Sequence, residues 1–170
     1  MAAGLVPMQA TADATPSAQA SQMDPMLARI VAGMRAKVPT ELATAYQQVI
    51  VAGMKVMYSP NTRHLLIERL SVPGPLYTKV AHGIADLLLV IYKESNRKMS
   101  IPAAIMASTE LMCQALDMAA KAQSLKLTPD IVAACTHATA SACLQKFGIG
   151  PAAIQNAIAS GRQAQQQHKG

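Results

Sequence analysis

The sequence has no tryptophan and a single phenylalanine, and aromatic side chains make up only 3% of its 170 residues. Modules that read RNA or single strands stack bases on aromatic rings, and this chain offers almost none. The same shortage disfavours a sheet core, which draws on aromatic and β-branched residues. Charge is sparse too, at 14% of residues, with no block of five or six like charges. A helix-turn-helix would need a basic recognition helix. The best candidate, residues 128–147, has one lysine and no arginine.

Cysteine is scarce and odd in number: Cys113, Cys135 and Cys143. That excludes a disulfide framework and suits a reducing compartment. All three lie in alanine-rich stretches, where cysteine acts as a small buried apolar residue. Cys135, His137 and Cys143 come nearest to a metal cluster. Their spacing lacks the paired pattern of a structural zinc site, so no metal is expected. Glu110 and Cys113 could share a helix face, but a carboxylate raises a thiol pKa instead of activating it. His82 and Asp86 are four apart and could pair, yet they read as the polar edge of a helix. No Gly-rich phosphate loop, His-Glu-x-x-His or Gly-x-Ser-x-Gly occurs. The expectation is a protein with no catalytic residues and no cofactor, hence not an enzyme.

Long apolar runs are also missing. The strongest, Leu87 to Tyr92, extends back to Val80 only by including His82 and Asp86. A span needs roughly 18–20 apolar residues, so no transmembrane helix is expected. The first residues lack the basic start and apolar run of a signal peptide.

What the chain does have is alanine, leucine, isoleucine, valine and eleven methionines, within a hydrophobic share of 51%. Alanine, leucine and methionine favour helices, which predicts an all-α fold. Residues 1–23, rich in Ala, Thr, Ser and Gln, read as a flexible arm. Asp24-Pro25 is a cap-plus-proline start, predicting a helix to about Lys37. A second is predicted from Thr40-Glu41-Leu42 to Met57 or Tyr58, with a stripe of Leu42, Tyr46, Val49, Ile50 and Gly53. Ser59-Pro60 opens a third, which Pro73-Gly74-Pro75 breaks. A fourth runs from Leu76 to Glu94, apolar nearly all round in its second half, as a central helix would be. Ser100-Ile101-Pro102 opens a fifth, to about Leu125. Thr128-Pro129-Asp130 opens the sixth, ending at Phe147-Gly148 with Gly148 as a left-handed cap. Residues 149–170 form a polar, Gln-rich tail, with room for a short helix at 151–160. The expected architecture is a compact bundle of five to six helices over residues 24–148.

Three features point to assembly. Mean hydropathy is +0.21, high for a lone monomer of this size. The methionines at 26, 34, 54, 57, 99, 106, 112 and 118 exceed what one small core needs, so some should line an interface. In addition, Ile30-Val31-Ala32-Gly33-Met34-Arg35 is nearly repeated as Ile50-Val51-Ala52-Gly53-Met54-Lys55. It reads as two similar helix faces, or else as a self-association surface. The residues expected at an assembly interface are Gly33, Met34, Gly53, Met54 and Met57, since close approach needs small or adaptable side chains. Homo-oligomerisation is the expected outcome. The net charge of +6 supports an alternative, a helical adaptor or regulator meeting nucleic acid non-specifically, or a protein partner, through its basic surface.

The run Ala52-Gly53-Met54-Lys55-Val56-Met57-Tyr58, then Pro73-Gly74-Pro75, Gly83-Ile84-Ala85, Glu94-Ser95-Asn96 and the helix opened by Pro102, resembles small virion structural proteins of tailed bacteriophages. The resemblance covers about residues 30–148. It implies a helical subunit of the particle, at the neck, in the tail or inside the head, made in the bacterial cytoplasm and contacting other virion proteins. It carries over no catalytic residue.

Overall fold

The computed structural model describes residues 23–150, and the expected arm and tail lie almost wholly outside them. Six α-helices follow in order: α1 Pro25–Lys37, α2 Ala43–Tyr58, α3 Pro60–Ser71, α4 Leu76–Glu94, α5 Ile101–Gln123 and α6 Pro129–Lys146. No strand occurs among the described residues, so the fold is an all-α bundle.

Local chemistry sets the boundaries. The Asp24 carboxylate accepts from the Met26 amide at 2.8 Å and caps α1, whose first residue is Pro25. Ser100 and Thr128 cap α5 and α6 in the same way, accepting from Ala103 and Ile131. Thr40 differs from expectation. Residues Thr40–Leu42 form one 3-10 turn with no side-chain cap, and α-helical bonding starts only at Ala43. Pro39 holds Val38 extended, and that leaves one tight turn to reverse the chain. At α3 Ser59 makes no side-chain cap either, and the Thr62 hydroxyl instead donates back to the Val56 carbonyl near the end of α2.

Three helices end on a left-handed residue; after α5 it is Ser124, at φ 51°, and the Leu125 amide reaches the Ala120 carbonyl at 2.9 Å. Gly148, at φ +71°, lets its amide reach the Gln145 carbonyl and the Ile149 amide reach Leu144. After α4, Asn96 fills that left-handed position, and Arg97 donates to the Tyr92 carbonyl at 2.9 Å.

The central helix is α5, not the predicted 76–94. It packs on all five others, and Ala103, Ala104, Ala107, Ala115 and Ala119 are buried along it. Small side chains on every side allow that approach, while Leu111, Met112 and Leu116 fill the layers between. Helix α4 buries Val80, Ile84 and Leu88 but turns His82 and Val90 to solvent and packs most extensively on α6. Helix α1 is fastened by Leu27 and Val31, and Met23 joins the same core, one residue inside the expected arm. Burying a side chain of this size contributes roughly 1.5–3 kcal/mol.

Candidate functional site

The five residues expected at an assembly interface do not form one surface. Gly33 lies exposed on α1 with open space around it. Met34 and Met54 are half-buried and pack on the core. Gly53 and Met57 are inside it. A Cβ on Gly53 would stand 2.7 Å from Leu111, so this glycine is needed where α2 crosses α5. The close approach inferred from the sequence is real at Gly53, but it is intramolecular.

The repeated hexapeptide also presents different faces. In α1, Val31 is buried and Ile30 half-buried, whereas in α2 Ile50 is buried and Val51 is 58% exposed. The two copies are turned relative to the core by about one residue, or roughly 100°.

That rotation creates the first solvent-open feature. Ala43, Thr44, Gln47, Gln48, Val51, Ala52 and Lys55 line a shallow concavity of about 700 Å³ on the outer side of α2. It carries no charge except Lys55 at one end. The signal was present in the sequence, because a stripe at Tyr46, Val49, Ile50 and Gly53 forces Val51 outward.

A second feature is an apolar groove of about 260 Å³ where α3 and α4 meet the end of α2. Leu65, Leu66, Leu87 and Val90 line it. Asp86 lies at its edge, and its carboxylate takes Arg69 at 3.1 Å and Lys146 at 2.9 Å. Partial burial opposes ionisation of Asp86, but the two cations outweigh it and hold its pKa below the usual carboxylate range. His82, four residues before Asp86 on the same helix, is exposed, as the polar edge of a helix would be.

The third feature is a mixed cleft of about 390 Å³ lined by Tyr58, Arg63, Gln114, Asp117 and Lys121 among others. Lys121 pairs with Asp117 at 2.7 Å, and the Asp24 amide donates to the same carboxylate at 3.1 Å. The Tyr58 hydroxyl donates to Gln114 at 3.0 Å, and burial raises its pKa.

Comparison with protein-family models, curated proteins and solved structures finds no match. The reading of the site therefore rests on its chemistry.

Buried polar groups tie the helices to one another. The Glu110 carboxylate is 1% exposed in the middle of α5 and is held by two helices. Arg35 of α1 donates through both Nε and Nη2, and the Tyr46 hydroxyl of α2 donates to Oε2 at 2.5 Å. Burial, and then the bond to Glu110, raise the Tyr46 pKa well above the usual phenol range. The three cysteines are buried. Burial pushes Cys113 up to about 12, with Glu110 adding to it. Burial likewise pushes Cys135 and Cys143 up to about 11. At neutral pH all three are therefore thiols, poor nucleophiles and poor metal ligands. No group of three His, Cys, Asp or Glu among the described residues could hold a metal ion. No described helix is long and apolar enough to cross a membrane.

Proposed function

We propose that this chain is a non-enzymatic structural subunit of a multi-protein assembly, and that the assembly is the particle of a tailed bacteriophage. The reading of the particle rests on the resemblance of residues 30–148. The reading of assembly rests on one observation, the open outer face of α2 around Val51, which carries no charge except Lys55 at one end.

The occupant we assign to that face is the same face of a second copy. A two-fold contact sets each residue against its symmetry mates. Two antiparallel α2 helices would bury Val51 and Ala52 against Gln47 and Gln48. Their Lys55 side chains would lie at opposite ends, so like charges would not meet. Glutamine amides can satisfy one another across such a contact.

Light scattering at low and high salt tests the reading. A discrete oligomer should persist at about 1 M salt, since apolar contact holds or strengthens there. Val51→Glu should yield monomer with an unchanged helical spectrum. A wild-type monomer at every concentration would sink the proposal. Association that dissolves steeply with salt would favour the adaptor acting through the basic surface.

A further inference from the structure

The turn between α4 and α5 holds one residue in a conformation that its side chain disfavours. Asn96 and Arg97 stand at φ 54° and 61°, and the Lys98 amide donates to the Ser95 carbonyl at 3.1 Å. Positive φ at both central residues with that bond marks a type I′ turn, for which Asn-Gly is the favoured pair. Asparagine therefore suits its place. Arginine does not, because its Cβ crowds the neighbouring carbonyl in the left-handed region, a strain that glycine would relieve. The turn itself gives arginine nothing in return. Its amide bonds the Tyr92 carbonyl, as the amide of any residue but proline could. Its side chain is exposed and makes no ion pair with a described residue.

Strain kept at an exposed position points to a use for the side chain. Two further cations stand beside it. Lys93 and Lys98 are exposed, also without an ion pair to a described residue, and within the turn only Glu94 opposes them. Lys93 offsets the dipole at the end of α4, but Arg97 and Lys98 lie beyond that helix. The base of the turn is fixed, since the Ser95 hydroxyl accepts from the Met99 amide at 3.1 Å.

We propose that Lys93, Arg97 and Lys98 form a contact for the phosphate backbone of duplex nucleic acid. The surroundings of the three cations decide the partner. No residue from 93 to 98 is apolar. A membrane-surface contact buries apolar side chains, and a protein interface has an apolar centre. The nearest ring, Tyr92, is half-buried and packed edge-on against Phe147, so it does not offer a face for the stacking that single strands need. Backbone contact asks only for cations and carries no sequence preference. The net charge of +6 favours the approach of such a polyanion. The turn shares no residue with the concavity on α2, so the inference does not depend on assembly there.

Fluorescence anisotropy of a labelled duplex of about 20 base pairs, titrated with the full chain between about 50 and 200 mM salt, tests it. Binding should be alike for unrelated sequences and should weaken as salt rises. Arg97→Gly should lower affinity roughly tenfold at about 50 mM salt and the salt slope by about 1. The same variant should raise the thermal midpoint, by about 2–4 °C. Lys93→Gln/Lys98→Gln should lower the slope by about 2. Lys126→Gln should leave it unchanged, because Lys126 follows the far end of α5, a helix of 23 residues. Absence of wild-type binding at about 50 mM salt would overturn the proposal, as would an Arg97→Gly chain that binds like wild type. A less stable Arg97→Gly chain would overturn it too, since arginine would then be what the turn itself requires. Tighter binding to vesicles with anionic headgroups than to the duplex would replace it with a lipid surface.

Discussion

The two glycines of the repeated hexapeptide should respond in opposite ways to one substitution. At Gly53→Ala the new methyl would stand 2.7 and 2.8 Å from the two δ carbons of Leu111 and 3.3 Å from its γ carbon. Leu111 is fully buried, so its side chain cannot swing into open space. Overpacking of this kind costs about 1–3 kcal/mol. Alanine in place of glycine inside a helix returns about 0.5–1 kcal/mol. The net is a loss of up to about 2.5 kcal/mol, or a midpoint lower by up to about 10 °C at roughly 4 °C per kcal/mol. At Gly33→Ala the added methyl meets nothing within 4 Å. Only the helix gain remains, about 0.5–1 kcal/mol, and the midpoint should rise by about 2–4 °C. Thermal melts followed by circular dichroism, with urea titration as a second measure, give both values. If Gly53→Ala proved as stable as Gly33→Ala, the crossing of α2 over α5 at Leu111 would be wrongly described.

Arg35→Met removes the cation from a carboxylate that is 1% exposed and leaves it with Tyr46 alone. Because Arg35 is itself half solvated, the expected cost is about 2 kcal/mol, below the usual range for breaking a buried pair. Urea titration should show that the double variant Arg35→Met/Glu110→Met loses less than the sum of the single variants. Alkaline stability has a definite sign. Tyr46 and the three thiols hold their protons more tightly when folded, so stability is whole below about pH 9 and declines as the unfolded thiols ionise. The melting midpoint should be flat from pH 7 to 8.5 and fall toward pH 11. At pH 8 a thiol reagent should titrate no cysteine in the native protein and three after denaturation. A reactive native thiol at that pH would contradict the burial of all three.

The six helices were legible because their ends carry local signals. Asp24-Pro25, Ser100-Ile101-Pro102 and Thr128-Pro129 each supply a cap or a proline that acts within one turn, and such signals survive whatever the rest of the fold does. Thr40 was misread because Pro39, its neighbour, forces a tighter turn first. Direction was harder to read than position. The copies of Ile-Val-Ala-Gly-Met look alike, yet α1 meets the core through Leu27 and Val31, and α2 through Tyr46, Val49, Ile50 and Gly53. Residues outside the hexapeptide decide the rotation, so the motif by itself carries no face. Glu110 was noticed only beside Cys113. Its partners, Arg35 and Tyr46, lie 75 and 64 residues away and become neighbours only when three helices converge.

The methionine surplus shows how composition misleads about surfaces. Among the described residues, Met23, Met57, Met112 and Met118 are buried, and Met26, Met34, Met54, Met99 and Met106 are half-buried. None of them stands open to solvent. A core with no tryptophan and so many alanines leaves irregular gaps between helices. A long unbranched side chain with several rotatable bonds is the residue that fills them. The methionines therefore stand in for the missing aromatics and leave little over for an interface. The large apolar side chains that stay exposed are mostly branched, Val51 on α2, Leu65 and Val90 along the groove, and Val72 and Leu125, beside the two tyrosines Tyr58 and Tyr77. Branched side chains have fewer rotamers to lose on contact than methionine, so ordering them at an interface costs less. An association built on Val51 should thus depend more sharply on that one residue than any built on Met34 or Met54. In paired light-scattering runs, Val51→Ala should weaken the oligomer more than Met54→Ala.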